Sequence, residues 1–263
     1  MSQKIIYYYQ TFTGLQPILS KKTPTTHIIV SSIHFGKDAK QQPYIHLNNF
    51  KPDDKKFTSV WKECQEATDK GITIMIMVGG AGGAYEVLFS NFDLYYPMLK
   101  QLIETKPFIK GVDLDIEEGV SLTNVKKLIN QLTADFGTDF IITMAPISSS
   151  LTTDYPGLGG FKYKDLIQNS KEGKMINWLN GQFYFQYTKG CFEKCVENGY
   201  DSKKIVCGMI SSISNFDEAL NQLKLIKKIY PDFGGVFVWE YFNCPPDRTH
   251  PEKWSEMIEK QFK

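Results

Sequence analysis

The sequence predicts one α/β domain, residues 1–263, closed as a (β/α)8 barrel. Eight short apolar runs recur along it, separated by polar loops and segments of helical period. The runs are apolar almost without interruption, as strands of a parallel sheet are when both faces are covered. A length of 263 residues suits the fold, since one such barrel takes about 250 residues. Eight strands in this alternation favour closure over an open doubly wound sheet. There is no internal repeat, linker or low-complexity segment.

Ile5 to Tyr9 reads as the first strand and Thr26 to Ser32 as the second. Gly36 to Lys56 is polar and holds Pro43 and Pro52, so it is an excursion, read as a small hairpin beside the barrel mouth. Ser59 to Lys70 places Val60, Cys64 and Ala67 at helical spacing and stops at Gly71, a residue free to take a helix-ending conformation. Ile72 to Val78 is the third strand and runs into Gly79-Gly80-Ala81-Gly82-Gly83. A helix from Tyr96 carries Met98, Leu99, Leu102 and Ile103. Phe108 to Glu117 is the fourth strand. Thr123 to Phe136 is a helix with Ser121 or Thr123 as its cap and Gly137 at its end. Phe140 to Ala145 is the fifth strand, stopped by Pro146, and Gly181 to Gln186 is the sixth. Tyr163 to Ser170 and Gly190 to Glu197 read as short helices. Ile205 to Met209 and Gly235 to Trp239 are the last two strands. Between them Phe216 to Tyr230 carries Leu220, Leu223, Ile226 and Ile229 and ends before Pro231. The final helix, Pro251 to Phe262, turns Trp254 and Ile258 inward.

The fourth strand is unusual. Val112, Leu114 and Ile116 alternate with Asp113, Asp115 and Glu117. A period of two puts three acids on one face, roughly 6.5 Å apart along the strand. Carboxylates in file repel, and one of them then holds its proton toward neutral pH because its neighbours raise its pKa. A solvated edge strand would tolerate the same row, but Gly111, the apolar opposite face and the flanking alternation argue for a buried strand. The simplest reason to keep the acids is chemistry.

The formal net charge of +1 gives no reason to expect nucleic acid or an anionic membrane as partner. Met1 to Lys4 and the run after it are not expected to act as a signal peptide, and no stretch is long enough to span a bilayer. The expected location is cytoplasmic, as a monomer. The five cysteines, Cys64, Cys191, Cys195, Cys207 and Cys244, are then free thiols. Cys191 and Cys195 share a helix face as two buried thiols, because no second Cys/His pair stands near to complete a metal site.

In a barrel of this kind the site lies at the C-terminal ends of the strands. Glu117 falls there on the fourth strand, and Gly79-Gly80 on the third, where backbone can approach a ligand. Met144 and Pro146 close the fifth strand, Gln182 and Tyr184 lie two apart near the end of the sixth, and Trp239 closes the eighth. Each alone has a packing explanation. Together, around one mouth, they favour a site.

Lys110-Gly111-Val112-Asp113-Leu114-Asp115-Ile116-Glu117 resembles the Asp-x-x-Asp-x-Asp-x-Glu signature of glycoside hydrolase family 18, with Lys110 in place of the first Asp. The likeness runs over nearly the whole chain and is strongest to the fungal endo-β-N-acetylglucosaminidases of that family, with its chitinases next. Tyr8-Tyr9-Gln10-Thr11, Val78-Gly79-Gly80-Ala81, Ile142-Thr143-Met144-Ala145-Pro146, Gln182-Phe183-Tyr184 and Trp239-Glu240-Tyr241-Phe242-Asn243 carry it outside the signature.

The resemblance implies retaining, substrate-assisted hydrolysis of the β-1,4 bond between two GlcNAc units, with no metal and no cofactor. The substrate is expected to be the chitobiose core of N-glycans, with an endochitinase as the alternative and an inactive sugar-binding barrel as the third reading. Glu117 resembles the general acid. Asp115 resembles the acid that holds the 2-acetamido group, and Asp113 the buried acid that shares its proton. Tyr184 resembles the hydroxyl on the acetamide carbonyl, and Trp239 the floor under the sugar. Gln182, Met144 and Tyr7 are expected as further walls of that pocket, with Gly79 and Gly80 beside it. A cis peptide at Trp239–Glu240 is also implied.

Overall fold

The computed structural model describes residues 3–263, in which nine strands form. They are β1 (Lys4–Tyr9), β2 (His27–Lys37), β3 (Pro43–Leu47), β4 (Thr73–Gly79), β5 (Ile109–Asp115), β6 (Ile141–Met144), β7 (Trp178–Gln182), β8 (Ile205–Ile210) and β9 (Gly235–Trp239). The sheet runs β1-β9-β8-β7-β6-β5-β4-β2-β3, and β1 also pairs with β2, so eight parallel strands close into a ring. β3 stands outside the ring, antiparallel to the long outer half of β2. The excursion expected after the second strand is therefore a hairpin.

Ten helices cover the ring among the described residues. In order they are α1 (Gln16–Leu19), α2 (Thr58–Asp69), α3 (Tyr85–Ser90), α4 (Phe92–Glu104), α5 (Leu122–Phe136), α6 (Ser148–Thr152), α7 (Tyr163–Ile167), α8 (Lys189–Glu197), α9 (Phe216–Ile229) and α10 (Glu252–Phe262). Ser121 is the cap of α5, its hydroxyl accepting from the Asn124 N–H at 3.2 Å. Asn215 does the same for α9 through Glu218 at 3.0 Å. The short α1, α3 and α6 have too few turns to show a helical period in the sequence. All five cysteines are buried thiols. No helix among the described residues is long and apolar enough to cross a membrane.

Alternation along the strands divides the core in two. Ile6, Tyr8, Ile29, Met75, Met77, Trp178, Val206 and Phe237 fill the inside of the ring. Ile5, Tyr7, Ile28, Ile74, Val112, Leu114, Met144 and Val236 face the helices instead. The inner column is a packed core, and it places the inward residues of β5, β6, β7 and β9 at the top, where the ring opens.

Three strand assignments change, the second strand running on past Ser32 to Lys37. The sixth ring strand is Trp178–Gln182, not Gly181–Gln186. Phe183, Tyr184 and Phe185 read as strand because aromatic residues favour it, but the Gln186 N–H closes a turn on the Phe183 carbonyl at 2.9 Å. Tyr184 therefore sits in a loop. The fourth ring strand ends at Asp115, so Glu117 lies two residues beyond it rather than closing it.

Gly79 shows how tightly the rim is built. It pairs with Asp115 across β4 and β5 at φ +95°, and an added Cβ would collide with the Asp115 carbonyl and lie 2.6 Å from the Tyr85 ring. Gly79→Ala is expected to destabilise by about 2–3 kcal/mol and lower the melting temperature by roughly 4–10 °C. An unchanged thermal transition would show that the strands separate more easily than this packing implies.

Candidate active site

β5 turns Asp113 and Asp115 into the ring, one above the other. Asp113 is fully buried, and its oxygens are taken by three donors. The Tyr8 hydroxyl donates to Oδ2 at 2.6 Å, and the Thr143 hydroxyl and the Asn180 amide donate to Oδ1 at 2.6 and 2.9 Å. Below them the Trp178 indole N–H donates to Asn180 Oδ1 at 2.9 Å, which fixes which way the Asn180 amide points. Each partner comes from a different strand, so closure of the barrel assembles the cluster.

The two aspartates divide the charge. Burial pushes the Asp113 carboxyl up, and the three donors pull against it by stabilising the anion. Asp115 has only the Gln182 amide, at 3.3 Å. Burial, then the charges of Glu117 and Asp113, push it well above the usual carboxylate range. Of the two buried aspartates, Asp115 is the one pushed further toward its protonated form. The two aspartates are coupled by charge.

Gln182 ties the upper carboxyls together. Its amide nitrogen lies 3.3 Å from Asp115 Oδ1, 3.2 Å from Glu117 Oε1 and 2.9 Å from the Ala145 carbonyl. Its own backbone N–H donates to the Pro146 carbonyl at 2.8 Å, so the end of β6 sets its height. Both carboxyls thus come from the end of β5 and the two residues that follow it, and stand on the same side of the site.

A cavity of about 240 Å³ opens above them, bordered by Asp115, Glu117, Tyr184 and Trp239. Gly80 and Ala81 wall it on the β4 side, and Gln10 and Ser32 on the side of β1 and β2. Burial and the neighbouring acids push the Tyr184 phenol well above its usual range, so it is a hydrogen-bond donor into this space at any ordinary pH. The Trp239 ring rests against Tyr8, with centroids 5.4 Å apart. The Trp239–Glu240 peptide is cis, as the family resemblance implies. The Glu240 carboxylate accepts from the Gln10 and Thr11 N–H groups at 2.9 Å and from the Thr11 hydroxyl at 2.6 Å, fastening the end of β9 to the end of β1.

Four expected pocket residues lie elsewhere. Tyr7 faces the helix layer: its hydroxyl donates to the Pro251 carbonyl at 2.7 Å and its ring packs on Trp254 and Tyr241. The inward tyrosine is Tyr8. Met144 likewise points outward into the core, and its neighbour Thr143 points in. Gly79 serves strand packing, and only Gly80 lines the cavity. Asp113 lies fully buried beneath Asp115, where no sugar reaches it. Tyr8, Asn180, Gln10 and Ser32 were missed as site residues. Thr143 left one signal, as the single polar residue inside the run Ile141–Met144. Lys110, in place of the first signature acid, is exposed at the far end of the strand and donates to the Pro107 carbonyl at 2.7 Å. Among the described residues, no three His, Cys, Asp or Glu side chains are grouped to hold a metal.

No protein-family model matches the chain. A fungal endo-β-N-acetylglucosaminidase from glycosyl hydrolase family 18 superposes with a TM-score of 0.90 at 31% identity, over 99% of this chain and 98% of that one. The chitinase ChiC of Aspergillus fumigatus superposes with a TM-score of 0.86 at 29% identity, over the full length of both. Endochitinase 4 of Metarhizium anisopliae is 26% identical over 173 residues, which is 60% of this chain and 59% of that protein. The chain thus spans little more than half the length of that curated relative. With a closed barrel, an acid row rising to Glu117 and a full-length likeness above 30% identity, the chain belongs to glycosyl hydrolase family 18.

Proposed function

We propose that this barrel hydrolyses the β-1,4 bond between two GlcNAc units with retention, using the substrate's own acetamide as nucleophile. The preferred substrate is the chitobiose core of N-glycans. The observation that carries this reading is the position of the two upper carboxyls: Asp115 ends β5 and Glu117 follows two residues on, the two joined by Gln182, with Tyr184 and Trp239 around the same cavity. Enzymes that use two carboxylates place them on either side of the scissile bond. Here one side holds both, and the other needs a nucleophile that the sugar supplies.

In this mechanism the proton held on Asp115 passes to Glu117 at the rim as the acetamide N–H docks on Asp115, and Glu117 gives it to the leaving oxygen. Tyr184 donates to the acetamide carbonyl and holds that oxygen beneath the anomeric carbon. Asp115 meets the acetamide N–H and takes up the charge that develops as the oxazolinium ring closes. Asp113 stays below as the anion that Tyr8, Thr143 and Asn180 hold in place. Trp239 supports the sugar ring, and Gln182 keeps Glu117 and Asp115 at fixed spacing. Water then opens the oxazolinium from the face the leaving group vacated, with Glu117 as base.

An endochitinase is the second reading, favoured by the likeness to ChiC and to the fungal endochitinases. Ribonuclease B and chitin oligomers, incubated separately with the protein and read by mass, decide between them. Release of the mannose tree with one GlcNAc left on ribonuclease supports the first reading. Breakdown of the oligomers alone supports the second. Inertness toward both, or products with inverted anomeric configuration, defeats the proposal.

A further inference from the structure

The residue after Glu117 is also an acid, and its side chain does something different. Glu118 Oε1 accepts from the backbone N–H groups of Ala84 and Tyr85, at the far end of the glycine-rich segment that follows β4. That segment is conformationally loose by composition. Gly79, Gly80, Gly82 and Gly83 all have positive φ, a region costly to hold because glycine loses the most freedom on ordering. Its near end is pinned where the Gly80 N–H meets the Asp115 carbonyl at 2.9 Å. Its far end is pinned by Glu118, whose Oε2 would lie 2.9 Å from a Cβ added at Gly83. Gly80 and Ala81, between the two pins, line the cavity. Tyr85 continues the attachment, its hydroxyl donating to the Val78 carbonyl at 2.7 Å.

We propose that Glu118 is a positioning residue: its carboxylate clamps the Gly80–Gly83 loop, and with it one wall of the sugar pocket, to the segment that carries Glu117. Both pins leave from that same segment, at Asp115 and Glu118, so the wall and the acid keep a constant relation. The inference rests on the reading of the cavity as a sugar site. Because both hydrogen bonds end on one oxygen, a Gln amide oxygen can replace it, whereas Ala cannot.

Two variants and two readouts test the clamp. In Glu118→Ala, the amides of Ala84 and Tyr85 are expected to exchange hydrogen about tenfold faster or more, since two bonds to a charged acceptor are lost. KM for a GlcNAc oligomer is expected to rise about tenfold while kcat changes by less than about threefold, measured well below both melting temperatures. Glu118→Gln should stay near wild type in both. Wild-type exchange at Ala84 and Tyr85 in Glu118→Ala overturns the proposal. So does a Gln variant that behaves like Ala with a shifted pH–rate profile, because the effect would then be charge on Glu117 and not attachment of the loop. Exchange needs no substrate. A wild-type protein inert to GlcNAc oligomers would therefore remove the sugar reading while exchange still judges the clamp.

Discussion

Glu117→Gln is expected to lower kcat for hydrolysis about 10³-fold or more, toward the upper end of what a positioned general acid contributes. The change is nearly isosteric, and Glu117 is half-exposed at the rim, outside the packed ring. Gln182 can still meet the new side chain, so the wall around Asp115 is preserved. Folding, followed by circular dichroism and the melting temperature, should match the wild type within about 2 °C, as for most surface substitutions. The loss should appear in kcat, with binding of an intact oligomer kept, because the proton is needed only as the bond breaks. A variant that retains most of its turnover removes Glu117 from the acid's role and leaves the proposed mechanism without a proton donor.

Asp115→Asn should produce a different result, a loss of activity with a gain in stability. Asp115 is buried among like charges, which is why its carboxyl is held well above the usual range. Asn mimics the protonated form and fits the same space. It cannot take up charge as the oxazolinium forms, so hydrolysis should fall roughly 10²–10³-fold, the scale of removing one preorganised electrostatic partner. Supplied with a preformed oxazoline, the variant should still transfer the sugar to an acceptor, since ring closure is already done. Failure to use any oxazoline counts against substrate assistance.

The stability effect has a definite sign with pH. A carboxyl whose folded pKa is raised binds its proton more tightly in the folded state. Its contribution is fully present below the unfolded value near 3.8 and is lost as pH climbs through the folded value. Asn never ionises. The melting temperature of Asp115→Asn relative to wild type should therefore widen in favour of the variant between pH 4 and pH 8. A gap that is constant or that narrows over this range would falsify the assignment of the buried proton to Asp115.

Much of the fold was legible because its signals are local. β9 falls on Gly235–Trp239 as expected, since glycine opens the run and an abrupt change of composition ends it. α9 and α5 follow from the 3.6-residue spacing of their leucines and isoleucines and from their caps. β7 was misplaced because Phe183 to Phe185 have strand-forming side chains, yet Phe185 is 92% exposed in a turn that only the neighbouring strands define. The exchange of Tyr7 for Tyr8 and of Met144 for Thr143 has one cause. In the run Ile5–Tyr9 every side chain is suited to either face, and in Ile141–Met144 Thr143 alone breaks the apolar run, so the sequence lacks the full alternation that would say which points inward.

The order of acids in the signature, their shared face and the chemical kind of the site were set by residue identity alone, because period two along a strand needs no partner to be read. Which tyrosine reaches Asp113, where Asn180 and Gln182 stand, and which of the two aspartates is pushed further toward its protonated form were decided only when the ring closed. Those outcomes depend on register between strands far apart in the chain and on the burial that closure imposes, and neither is written in any single segment.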